Sequence, residues 1–178
     1  MTIDKPIQAK KVFYDTANKI VHPCRTRNTV TFDSKAEYEC YLMLDRLFPS
    51  YKYDIGIHHE ILCGDISWKL DFLVTAKTPS LKTFKQFAEI ASIVNGKQFP
   101  VIGNNLFFEF KGRADNNYLR KMSYVKRHNG SLADTIILVS YDDGAFGYWD
   151  KEQRRFLTHA IIAQRHLSDI IKEVIWQE

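Results

Sequence analysis

The run Ile136–Val139, inside DTIILVS, is the feature that most limits what this chain can fold into. Four consecutive aliphatic residues between polar neighbours form a short run with no polar face. That pattern is typical of a strand buried on both sides. A strand covered on both faces belongs in a sheet with helices packed against it, and the flanking sequence supplies them.

SKAEYECYLMLDRLF puts Glu37, Tyr41, Leu44 and Phe48 on one helical stripe, which Pro49 ends. YKYDIGIHHEIL and ISWKLDFLV read as two strands joined by a turn at Cys63-Gly64-Asp65. On the second of these, Trp68, Leu70, Phe72 and Val74 share one face, and Lys69, Asp71 and Leu73 share the other. TPSLKTFKQFAEIASIVNG reads as a helix with Phe84, Phe87, Ala88, Ala91 and Val94 inward, ending at Asn95-Gly96. DNNYLRKMSYVKRHNG reads as another, with Tyr118, Leu119, Met122 and Val125 inward and Gly130 as its stop. GAFGYWD is expected to form a short strand after the turn at Asp142-Asp143-Gly144, and KKVFYD another near the N-terminus. Residues 151–176 read as one long amphipathic helix. Its stripe of Ala160, Ala163, Leu167, Ile170, Ile171 and Val174 suits either core packing or a dimer contact. With no repeat, linker or low-complexity segment, residues 1–178 are expected to form a single α/β domain built on a mixed sheet.

The strand in NNLFFEFKGRAD raises a chemical question. Leu106, Phe108 and Phe110 point one way, while Phe107, Glu109 and Lys111 point the other, and Gly112 ends the run. A charged pair on an otherwise apolar strand is either a solvated outer face or part of a site. Asp71, flanked by Leu70 and Phe72, stands at the centre of the apolar strand before it. If the two strands are neighbours, Asp71 and Glu109 lie side by side. Two carboxylates that close repel unless a cation sits between them or one keeps its proton. Oxygen ligands of this kind suit Mg²⁺, which takes one or two carboxylates and fills its octahedron with water and phosphate oxygens. Lys111, on the same face as Glu109, would place an ammonium beside that metal, where it can lower the pKa of a water or neutralise a phosphate oxygen.

The order Asp, then Glu-x-Lys, carried by KLDFLV and FFEFKG with SKAEYE as the preceding helix, resembles the PD-(D/E)XK nuclease superfamily. The SK-x-E phrase is similar to that of its transposon-end and phage-resolvase-like branches. The resemblance spans about residues 31–140, with 76–104 as an insertion and 151–176 as an appended helix. One departure is Leu70, where the motif has proline. The resemblance implies a restriction-endonuclease-like αβββαβ core and Mg²⁺-dependent endonucleolytic cleavage of DNA, with Mn²⁺ as a substitute. It implies that Asp71, Glu109, the Phe110 carbonyl and Glu37 hold the metal, and that Lys111 activates or orients water. It further implies in-line attack leaving 5′-phosphate and 3′-hydroxyl ends, and a homodimer that cuts both strands. A catalytically idle subunit that binds nucleic acid or assembles a larger machine is the alternative.

Each residue also has a plainer reading. Ser34-x-x-Glu37 is a capping box, in which Glu37 folds back onto the helix start and does nothing else. Asp71 also reads as a solvated strand residue, and Glu109 with Lys111 as a weak surface ion pair. His58, His59 and Glu60 read as strand-edge residues or as the edge of the site, and Asp65 as turn chemistry. Arg120, Lys121, Tyr124, Arg127 and His128, with Arg113 just ahead, form a helix face free of acid, suited to phosphate or simply solvated. The net charge of +4 permits a nucleic-acid partner without demanding one. The three cysteines lack a CxxC pair, and His22 with Cys24 lacks two further ligands for zinc. No run approaches the ~20 apolar residues of a membrane span, so a soluble, intracellular setting with no membrane partner is expected.

Overall fold

The computed structural model describes residues 22–24, 27–95, 103–112, 116–128, 130–150 and 154–177. The KKVFYD segment and Arg113 lie outside the described residues. A small antiparallel pair, β1 (His22–Cys24) and β2 (Arg27–Val30), leads into helix α1 (Lys35–Leu47). Ser34 caps α1 by accepting the Glu37 N–H at 3.0 Å, and Phe48 closes it through its N–H to the Leu44 carbonyl at 2.9 Å. The hairpin β3 (Tyr53–Cys63) and β4 (Ile66–Ala76) follows, then α2 (Leu81–Asn95) and β5 (Asn105–Phe110). After β5 come α3 (Asn116–His128), α4 (Gly130–Thr135), β6 (Ile136–Ser140), β7 (Gly144–Asp150), β8 (Arg155–Ala163) and α5 (Gln164–Ile175).

One mixed six-stranded sheet runs β3-β4-β5-β6-β8-β7. β4 runs antiparallel to both β3 and β5, β5-β6 and β6-β8 are parallel, and β7 returns antiparallel to β8. Helices cover both faces. The larger core joins α1, α2 and α5 to Ile55, Ile57, Phe72, Val74, Leu106, Phe108, Ile137 and Val139. The smaller joins α3 and α4 to Trp68, Leu70, Phe107, Ile136 and Leu138. Consecutive β6 residues thus enter opposite cores, which is why that run needs no polar position. β5 alternates as its sequence predicts, with Leu106, Phe108 and Phe110 in one core and Phe107 in the other.

Three expectations need correction. Residues 151–176 are not one helix. RFLTHAIIA forms β8, paired with β6 through Leu138↔Ile161 and Val139↔Ile162, and only Gln164–Ile175 is helical. β-Branched Thr158, Ile161 and Ile162 suit a strand, while the spacing of Ala160 and Ala163 mimics a helical stripe. Leu167, Ile171 and Val174 are buried as expected. Gly130 does not stop helical structure but opens α4. On α2 the buried arc is Phe87, Ile90 and Ala91, while Phe84 is 42 % exposed. At about 100° per residue, Phe84 lies roughly 60° from Phe87, just past the edge of that arc. α2 packs into the larger core, and its Gln86 side-chain amide donates to the Val174 carbonyl at 3.0 Å.

Candidate active site

β4 and β5 pair regularly from Thr75↔Asn105 to Phe72↔Phe108 and then part. Continued, the ladder would set Leu70 opposite Phe110. Instead the Phe110 N–H donates to Asp71 Oδ2 at 2.7 Å, and the Asp71 N–H donates to Glu109 Oε2 at 3.1 Å. Each strand thus lends a carboxylate to the other's backbone. On the other side of β4, the β3 ladder skips the pair His58/Asp71 between Ile57↔Phe72 and His59↔Leu70, and His58 adopts φ +53°. An interruption of this kind re-aims side chains. It also splits the face expected for β4: Phe72 and Val74 enter the larger core, whereas Trp68 and Leu70 enter the smaller one. All four remain fully buried.

Glu37 reaches the same region from α1. It is 3 % exposed; its Oε2 accepts the Asp33 N–H at 2.8 Å, and its Oε1 lies 2.6 Å from His58 Nε2. The backward reach to Asp33 resembles a capping box displaced by one residue, so the capping role is real. It leaves the second oxygen inside the protein, facing β3. Asp33, Glu37 and His58 each offer a ligand atom within 4.8 Å of the others.

Glu109 is 2 % exposed, which removes the solvated-strand reading, and its Oε1 meets Lys111 Nζ at 2.9 Å. Lys111 also rests over the Tyr118 ring, 4.7 Å from its centroid. Asp71 as a whole is half-buried. Burial raises its pKa well above the ordinary range, and Glu109 and Glu37 raise it further, against the smaller opposing pull of Lys111 and the Phe110 N–H. Burial alone would lower the Lys111 pKa, yet Glu109, Asp71 and Glu37 together raise it. The same negative field reaches both sides of the sheet. Burial first, and then these carboxylates, push up the Cys40 thiol beneath α1 and the Tyr118 phenol on α3.

α3 lies over the smaller core on the Tyr118 side, with Tyr118, Met122 and Val125 buried. Not all of its basic face fans outward. Lys121 lies over the Trp68 ring at 4.6 Å. The Tyr124 hydroxyl accepts the Asp65 N–H at 3.1 Å, and the Tyr124 ring packs 4.2 Å from that of His128. Both clasp the β3–β4 turn at Gly64, whose φ is +58°. Arg120 and Arg127 are exposed. His59 and Glu60 are exposed strand residues, whereas His58 turns inward to Glu37. The parts that sequence reasoning missed are the seat of Lys111 on Tyr118 and the inward turn of His58. Tyr118 carried only an apolar-stripe signal, and no local pattern marks a left-handed residue within a strand.

No family model, curated protein or solved structure matches this chain. Among the described residues, no helix is long and apolar enough to cross a membrane.

Proposed function

We propose that this chain is a Mg²⁺-dependent endonuclease of the PD-(D/E)XK type that hydrolyses DNA phosphodiester bonds. The observation that carries the reading is the exchange between Asp71 and Glu109. Two carboxylates are fixed by each other's strand where the ladder opens, with Glu37 near enough to add to their field.

The donor set fits Mg²⁺. It consists of oxygens, it is crowded with like charge that a divalent cation would relieve, and Asp71 Oδ1 makes no hydrogen bond among the described residues. A strand residue's N–H and C=O point to the same side. The Phe110 carbonyl therefore faces the gap that its N–H faces, as a third ligand should. Mg²⁺, when bound, supplies Lewis-acid stabilisation of charge on the phosphoryl oxygens. Asp71 and Glu109 would hold the ion, and Glu37 would bind it directly or through water. Lys111, kept charged by Glu109 at 2.9 Å, would orient the attacking water or meet the scissile phosphate. Arg120 and Arg127 would contact backbone phosphates, which position a duplex without reading its sequence.

Incubation with plasmid, linear and branched DNA in Mg²⁺, Mn²⁺ and EDTA tests this. Cutting that EDTA and Asp71→Asn both abolish is the expected result. Binding without cutting under all conditions would select the idle-subunit alternative.

A further inference from the structure

Among the described residues Lys111 makes contact with Glu109 and Tyr118, and ion pairing explains only the first. Glu109 supplies the counter-charge at 2.9 Å, and the flat face of Tyr118 supplies a seat, with Nζ 4.7 Å from the ring centroid. A lysine ammonium ends a flexible four-carbon stem, so a single ion pair leaves it free to swing about the carboxylate. A ring face beneath the cation removes that freedom, because the ring quadrupole attracts the charge from a fixed direction.

The ring itself is held by packing. Tyr118 is 6 % exposed, lies edge-on to fully buried Trp68 at 6.5 Å between centroids, and belongs to the smaller core with Met122 and Val125. Trp68 in turn carries Lys121 over its ring at 4.6 Å. A cation, two rings and a second cation thus run in series from Lys121 on α3 to Glu109. We propose that Tyr118 is the positioning residue of Lys111, so that α3 sets where the lysine of the site points. The cleavage consequence rests on the nuclease reading; the positioning itself does not.

The experiment uses the full chain with lysine labelled by ¹³C at Cε, and Lys111→Arg to assign its signal. In the wild type, the Lys111 Cε protons should be shifted upfield by the ring beneath them. Tyr118→Phe keeps the ring and should keep the shift, and Tyr118→Leu should return the signal to the ordinary lysine position. With plasmid DNA and Mg²⁺, Tyr118→Leu should lower kcat about tenfold, with KM and Mn²⁺ affinity little changed. Tyr118→Phe should rescue most of that loss. A purely structural role predicts a lower melting temperature without this split between kcat and KM.

An unshifted Lys111 signal in the wild type overturns the proposal, and that spectrum decides even if Tyr118→Leu does not fold. A shift that persists in folded Tyr118→Leu overturns it as well. A wild type that shows the expected shifts but cuts no DNA refutes the nuclease reading and leaves the positioning intact.

Discussion

Asp71→Asn should leave the metal-free protein nearly unchanged in acid and make it progressively more stable than the wild type as pH rises. The amide oxygen can still accept the Phe110 N–H now held at 2.7 Å, so the strand junction keeps its shape. Exchanging a protonated acid for an amide there alters stability by up to about 1 kcal/mol, an offset that does not vary with pH. The pH-dependent part has a fixed sign. Burial, Glu109 and Glu37 raise the Asp71 pKa in the folded state. Stability from a raised group is fully present below the unfolded value, about 3.9, and is lost as pH climbs through the folded value. Between those limits the unfolded chain has released the proton and the folded protein has not. The wild type therefore loses about 1.4 kcal/mol per pH unit relative to the variant. For a domain of this size that corresponds to a divergence of roughly 3–5 °C in melting temperature per unit. Thermal melts of both proteins in EDTA from pH 4.5 to 8 measure it, and saturating Mg²⁺ should stabilise the wild type more than the variant. If the Phe110 N–H and Lys111 outweighed burial and like charge, the pKa would be depressed and the wild type would gain with rising pH. Parallel or oppositely diverging curves would refute the electrostatic account of the site.

Lys111→Ala should cut DNA 10²–10⁴-fold more slowly, on the order expected for loss of acid–base help. Calorimetry should show Mn²⁺ affinity no weaker than wild type, since a cation has been removed; wild-type cutting would end its assigned role. Glu37→Gln keeps an oxygen for the Asp33 N–H and should fold normally but cleave poorly at limiting Mg²⁺. Normal cleavage there would leave Glu37 as a cap alone. Arg120→Ala and Arg127→Ala should each reduce the salt slope of DNA binding by about 1, whatever the sequence. Unchanged slopes in both would return this helix face to solvent. Gly64→Ala should lower stability by about 1–2 kcal/mol in denaturant melts, because φ is +58° and a Cβ would lie 2.7 Å from the Tyr124 hydroxyl. A neutral result would mean that the clasp on the hairpin is loose.

How much of this was legible in sequence depended on whether a period survives the tertiary context. α1, the β3–β4 hairpin and β5 each show one period bounded by a clear stop, β6 is an unbroken apolar run, and each forms where expected. β8 and α5 were fused because apolar spacing runs on across Ala163, where the backbone is extended before the helix begins. The face switch on β4 had no local sign. It falls where the β3–β4 ladder skips His58/Asp71 and where Asp71 accepts the N–H of Phe110, 39 residues away. The adjacency of Asp71 and Glu109 was open to inference from motif order, whereas the mutual capping that fixes them was not. Nor was the contact of Glu37 with His58, which spans 21 residues and needs a left-handed residue inside a strand.

The negative charge at the strand junction is more than the fold requires. The Phe110 and Asp71 N–H groups need one acceptor each, and the amide oxygens of an Asn and a Gln would serve. Glu109 has a further use for its charge in Lys111, but the pair could be replaced by apolar side chains at little cost to stability. Among the described residues Asp71 has no ion pair of its own, only the smaller pull of Lys111. Its carboxyl group gains a single backbone hydrogen bond while burial and two other carboxylates oppose its ionisation. A residue that weakens the fold at neutral pH, where a neutral isostere would do, makes sense if its charge is needed for something outside the chain. A divalent cation is the simplest candidate. It turns the repulsion among Glu37, Asp71 and Glu109 into shared attraction, and it converts the stability forgone by the metal-free protein into binding free energy.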